Sequence, residues 1–281
     1  MLGTCMKSLA WLALLALWAG CTGGESVETD VAPPTIRDVP GASWPRLAAR
    51  KIFFGHQSVG FNILSGVNDL MQADPQIRLD LVETRDLADR DGGVFAHSRV
   101  GRNSDPYTKI RDFSEVVEHG VGGPADIAFF KFCYVDIGAD TDVDKLFSAY
   151  QTALSELKAH YPETAFVHVT VPLCVTRTSW KTGIKKLLRR QEMWEYDDNV
   201  KRNEFNERLL DAYRGKEPVF DLAGVESTFP DGRRCSFVRG GKSYFSLVPE
   251  YTYDGGHLNE TGRRKAAEPL LVLLAELAQA D

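Results

Sequence analysis

Lys51-Ile52-Phe53-Phe54-Gly55-His56-Gln57-Ser58-Val59-Gly60 opens the folded part of the chain. Its apolar start reads as a short buried strand, and the pattern from Ser58 to about residue 71 reads as a helix. Outward from this β–α unit the same alternation continues. Residues 78–84 alternate Leu-Asp-Leu-Val and read as a second strand. Residues 126–135 are almost continuously apolar, as a central parallel strand is. Residues 165–175 and 218–222 supply a fourth and a fifth strand. Helices are expected over 107–119, 143–161 and 203–213, and a strongly apolar one over 261–277. Residues 85–105 read as loop. Strands alternating with helices predict an α/β three-layer sandwich around a central parallel sheet of about five strands, joined by right-handed crossovers. In such sheets ligands sit beyond the carboxyl ends of the strands.

Ser58 follows the first strand, and Tyr253-Asp254-Gly255-Gly256-His257-Leu258-Asn259 precedes the last helix. Both segments can reach the same sheet edge. A hydroxyl, an imidazole and a carboxylate are the parts of a nucleophilic acyl-transfer system, in which the base takes the serine proton and the acid orients the base. A helix N-terminus favours the negative charge that forms when such a serine attacks. The alternative for Ser58 is a plain helix N-cap. For the later segment it is a turn at Asp254 and a cap at Asn259, which leaves His257 without a reason to be there.

These residues resemble the SGNH or GDSL hydrolases, and the resemblance covers most of 51–277. It rests on the serine after the first strand, on Asp254-x-x-His257-Leu258-Asn259, and on the 203–210 segment before Val219-Phe220-Asp221-Leu222. It implies an SGNH or flavodoxin-like fold and esterase chemistry, with Ser58 as nucleophile, His257 as base and Asp254 as its orienting acid. Gly55-His56-Gln57-Ser58 stands in place of the family's Gly-Asp-Ser. Lys131-Phe132-Cys133-Tyr134-Val135-Asp136 stands where Gly-x-Asn-Asp is usual, so the asparagine that donates to the oxyanion is missing there. Gly101 and Asn103 are candidates to supply oxyanion donors, and His56 either donates to a substrate carbonyl or packs on the rim.

The flanks speak of location. Lys7 precedes an apolar stretch over 9–19, too short for the roughly 20 residues a membrane helix needs, which reads as a signal peptide over 1–20. Trp18-Ala19-Gly20-Cys21 resembles a bacterial lipoprotein cleavage box, with Cys21 as the lipidated residue; an ordinary secretory signal is the alternative. Residues 21–43 read as a flexible tether, leaving 44–281 as one hydrolase domain. Both readings take the chain out of the cytoplasm, and the first anchors it to a membrane of the cell envelope.

The formal charge of −6 gives no reason to expect nucleic acid as a partner. An acylated saccharide or other small ester is the expected substrate, and no cofactor or metal is expected. His97, His119, His160 and His168 lack metal-ligand spacing. Cys133, Cys174 and Cys235 allow one disulfide, with Cys133–Cys174 the first choice and buried thiols the alternative. Residues 180–196, basic and aromatic, read as a covering amphipathic helix or as a groove for an acidic glycan. The second functional class is a non-catalytic envelope lipoprotein that keeps the fold for glycan binding or assembly.

Overall fold

The computed structural model describes residues 35–87, 91–121, 125–176 and 194–279. Its parallel sheet contains β1 (Lys51–His56), β2 (Leu81–Glu83), β3 (Val94–Arg99), β4 (Ile127–Phe130), β5 (Ala165–Val169) and β6 (Val219–Phe220). The six strands run in the order β2-β3-β1-β4-β5-β6. β1 therefore lies between β3 and β4, with Phe53 opposite Ala96 on one side and Ala128 on the other. β3 is the strand that the sequence reads as loop. Its His97, Ser98 and Arg99 break the apolar pattern, and pairing with β1 and β2 on both flanks supplies the order that the local sequence does not announce.

Successive residues of a strand face opposite sides, and this sorts the core into two layers. Phe54 and Phe129 meet Ile63, Val67, Leu270 and Leu274 on one face. Phe53 and Phe130 meet Phe113, Leu146, Tyr150 and Phe205 on the other. The first face is covered by α1 (Ser43–Ala48), α2 (Val59–Ala73) and, near the C-terminus, α7 (Glu260–Leu277). The second is covered by α3 (Pro106–Val116), α4 (Val143–His160) and α5 (Trp194–Tyr213). A short α6 (Leu222–Glu226) follows β6, and β7 (Ser236–Arg239) pairs with β8 (Lys242–Phe245) in an antiparallel hairpin.

α2 and α7 pack directly against each other. A Cβ on Gly66 would lie 2.2 Å from the Arg263 carbonyl oxygen, so only glycine permits this approach. Alongside it, Arg263 grips Asp69 with two bonds of 2.7 and 2.9 Å. α2 starts directly after Ser58, and α7 starts three residues after His257. Locking the two helices together thus fixes the distance between those residues' elements.

Three expectations meet a different arrangement. The tether expected through residue 43 already packs on the domain: the turn Ile36–Asp38 rests on the core through Ile36, whose N–H donates to Glu268 Oε1 of α7. α5 begins at Trp194, earlier than the expected 203. Among the described residues no disulfide forms, and Cys133, Cys174 and Cys235 are thiols; the Cys133 sulfur faces Ser58 and Lys131 instead. The signal segment, Cys21 and residues 177–193, which hold most of the basic aromatic stretch, lie outside the described residues.

Candidate active site

Ser58 occupies the turn between β1 and α2 with φ 25° and ψ −90°. A non-glycine residue held at positive φ costs on the order of 1–3 kcal/mol and persists only where its surroundings demand it. The Ser58 side chain makes no capping bond to α2, so the plain N-cap reading does not describe it. The hydroxyl is instead presented at the helix start, half-buried, with its Oγ 3.8 Å from Cys133 Sγ. Among the described residues the Ser58 N–H meets no acceptor. It sits at the N-terminal end of α2, where partial positive charge collects.

The acid–base pair is built almost entirely within its own loop. Asp254 Oδ1 accepts the N–H groups of Gly256 and His257 at 3.0 and 2.8 Å, and Oδ2 accepts from His257 Nδ1 at 2.6 Å. Burial raises the Asp254 carboxyl, but the three donors outweigh it and leave its pKa below the ordinary value. With Nδ1 donating to a carboxylate, Nε2 carries the lone pair that a general base needs. Asn259 caps α7 by accepting from the Gly262 N–H at 3.0 Å. Asp254 thus makes the turn and holds the imidazole at once.

Two bridges bring the pair to the serine. The N–H of Leu258, next to His257, donates to Asn62 Oδ1 at 3.1 Å. Asn62 stands one helical turn beyond Ser58 on α2. On the other side, Cys133 touches the serine oxygen while its neighbour Tyr134 places a hydroxyl 3.4 Å from both ring nitrogens of His257. One dipeptide therefore spans nucleophile and base. Among the described residues no hydrogen bond joins Ser58 Oγ directly to His257 Nε2.

The remaining candidates fall into different positions. His56 is 0% exposed; it does not line the rim. Its ring is wedged among Phe54, Phe61 and His97, with Nε2 3.1 Å from His97 Nδ1 and Nδ1 without a partner. Burial first, then Lys131 and His97, push its pKa down to about 2. It is a neutral core histidine because β1 turns that side chain inward. Gly101 donates its N–H to Asp112 Oδ2 at 2.7 Å and so offers no open donor. Its carbonyl accepts from Gln57 Nε2 at 2.6 Å, which ties the loop to the serine turn. Asp112 is in turn gripped by Arg85 with two bonds of 2.8 Å.

Asn103 is exposed, and its Oδ1 accepts from Lys109 Nζ at 3.0 Å. That bond orients the amide so that Nδ2 is presented away from the lysine. Lys109 is fixed by a fully buried ion pair with Asp136 at 2.7 Å. Asp136 also accepts the N–H groups of Cys133 and Ser104. Behind Cys133 lies Lys131, 0% exposed, whose Nζ contacts Cys133 Sγ at 3.5 Å and the Phe132 carbonyl at 3.2 Å. Its amine pKa is lowered, chiefly by burial. Cys133, three residues beyond the end of β4, is the side chain that touches the serine oxygen. Sequence reasoning missed it because a thiol is too weak a donor to draw attention.

No family model matches the chain, and no curated protein does. Similar solved structures include a carbohydrate esterase family 3 from Talaromyces cellulolyticus, with 14% identity, 83% of this chain and 99% of that chain covered, and TM-score 0.49. A member of the lipolytic protein G-D-S-L family from Veillonella parvula has 15% identity over 79% of this chain and 95% of that chain, with TM-score 0.45. The periplasmic domain of a lipopolysaccharide acetyltransferase from Salmonella ser. Paratyphi A has 10% identity over 83% and 87%, with TM-score 0.40. At such identities the roles of individual residues rest on the geometry above.

Proposed function

We propose that this chain is a serine esterase of the SGNH type, exported and lipid-anchored through Cys21, that hydrolyses an acyl ester, acetyl first among them, on an envelope or environmental saccharide. The observation that carries the reading is the Asp254–His257 bond of 2.6 Å beside an uncapped serine held at positive φ on the same sheet edge. His257 Nε2 takes the Ser58 proton as Oγ bonds to the ester carbonyl carbon and the carbonyl electron pair moves to oxygen. Collapse breaks the bond to the alcohol, which leaves with the proton from Nε2. Water then repeats the sequence on the acyl-serine. The Ser58 N–H, the Asn103 amide and the Cys133 thiol face the oxyanion. Exposed Tyr253, 67% accessible and stacked within 12° of the His257 ring plane, fits a sugar face at the rim.

One observation favours a second reading, that of a non-catalytic saccharide-binding lipoprotein. Ser58 Oγ contacts a thiol rather than the imidazole, and the loss of a single strong oxyanion donor costs about 10²–10³ in rate. Hydrolysis of p-nitrophenyl acetate by the soluble domain, run beside Ser58→Ala, separates the two. The esterase reading expects product release that the substitution abolishes. Equal rates from both proteins would leave only the binding protein.

A further inference from the structure

Tyr134 occupies a position that the triad does not account for. Its hydroxyl stands 3.4 Å from both His257 Nδ1 and Nε2, with the two rings edge-to-face at 5.5 Å and 76°. Nδ1 already donates to Asp254, so the side on which the phenol can act is that of Nε2, the atom that hands a proton to the departing alcohol. Among the described residues the hydroxyl makes no other hydrogen bond.

The placement is built rather than incidental. A Cβ on Gly256 would lie 2.8 Å from Tyr134 Cζ, so the catalytic loop carries glycine where the ring crosses it. Arg202 Nε donates to the Tyr134 carbonyl at 2.8 Å, and the guanidinium lies 5.9 Å from the ring centre. The phenol is half-buried, and burial holds its pKa well above the ordinary range. It therefore stays a donor across the working pH of an esterase.

We propose that Tyr134 is a further catalytic residue, whose hydroxyl donates a hydrogen bond to the leaving-group oxygen while His257 Nε2 protonates it. This rests on the esterase reading and deepens it, because it fits the site to esters of poorly leaving aliphatic alcohols such as sugar hydroxyls. As the carbon–oxygen bond breaks, the electron pair goes to the alcohol oxygen. The proton comes from Nε2, and Tyr134 keeps its own while sharing it.

The test compares Tyr134→Phe with wild type on two acetates, a methyl glycoside acetate and p-nitrophenyl acetate. With p-nitrophenol the departing oxygen needs little help. The expected result is a kcat lower by about 10² on the sugar ester, with KM unchanged and p-nitrophenyl acetate turnover barely affected. Equal losses on both substrates would mean that Tyr134 merely shapes the site, and unchanged kcat on both would remove it from the reaction. Should the variant not fold, Tyr134→His, which keeps a ring donor, and Tyr134→Leu are compared on the same two acetates. A sugar-ester kcat higher with His than with Leu supports the proposal, and equal sugar-ester kcat in the two overturns it. Ser58→Ala run in parallel keeps the two levels apart: turnover that survives it defeats the esterase reading itself, whatever Tyr134 does.

Discussion

The two halves of the site are assembled in opposite ways. The base half lies within one short loop, where Asp254 holds His257 three residues away and the partly exposed pair has side-chain accessibilities of 43% and 27%. The nucleophile half is collected from three separated segments, at Gln57–Ser58, at 101–104 and at 131–136. It rests on ionisable groups that are wholly buried: Lys131, and the Lys109–Asp136 ion pair. A local motif needs only its own turn to form. The other half needs the whole sheet to be in place, with β3 and β4 flanking β1, before Cys133 meets Ser58.

The largest effect tests the base half. Asp254→Asn keeps an oxygen for the Gly256 and His257 N–H groups but presents an amide to Nδ1, which turns the imidazole to the wrong tautomer. We expect kcat on p-nitrophenyl acetate to fall by about 10³–10⁴, with the thermal midpoint almost unchanged because the side chain is half in solvent. A loss under about ten-fold would mean that the loop does not orient the base and that the contrast between the halves is wrong.

This division also governs what could be read from the chain. Asp254-x-x-His257 was legible because its geometry follows from residues three apart, and Ser58 because a serine after an apolar strand stands at the right edge by topology alone. β3 was not legible: His97, Ser98 and Arg99 look like loop until strands pair on both sides. Nor were the oxyanion partners. Gly101 reads as a donor through its match to the glycine of the resembled family, yet its N–H is taken by Asp112, eleven places later in α3. His56 looked like a rim residue, and the inward pleat of β1 buries it. For β3 and Gly101 the deciding neighbour lies on another element.

A second prediction probes a buried carboxyl on which Lys131 of the nucleophile half acts. Glu226 accepts the Leu173 N–H at 2.8 Å with Oε2, while its Oε1 has no partner. Burial above all raises its pKa to about 8 from the usual 4.5. Between those values the folded protein keeps the proton that the unfolded chain has lost. The folded state is therefore favoured fully below pH 4.5, and that contribution disappears as pH rises towards 8. Urea unfolding should show wild type losing a few kcal/mol across this window, on the order of 1.4 per pH unit, while Glu226→Gln gives a flatter profile. Parallel profiles would place the pH dependence elsewhere.

The smallest expected effect addresses the joint between the halves. Cys133 stands 3.8 Å from the serine oxygen, and a thiol donates weakly. Its backbone is already anchored, since the Cys133 N–H donates to Asp136 at 2.6 Å. A side chain placed there is therefore aimed by structure that does not depend on the sulfur. Cys133→Asn should raise kcat on p-nitrophenyl acetate by about ten-fold, within what one added oxyanion donor supplies, and Cys133→Ala should lower it by less than that. KM should stay the same in both, because the donor acts on charge that appears only as the tetrahedral oxygen forms. If Asn lowers kcat as much as Ala does, the position does not face the oxyanion. The nucleophile half would then rely on the Ser58 N–H and Asn103 alone.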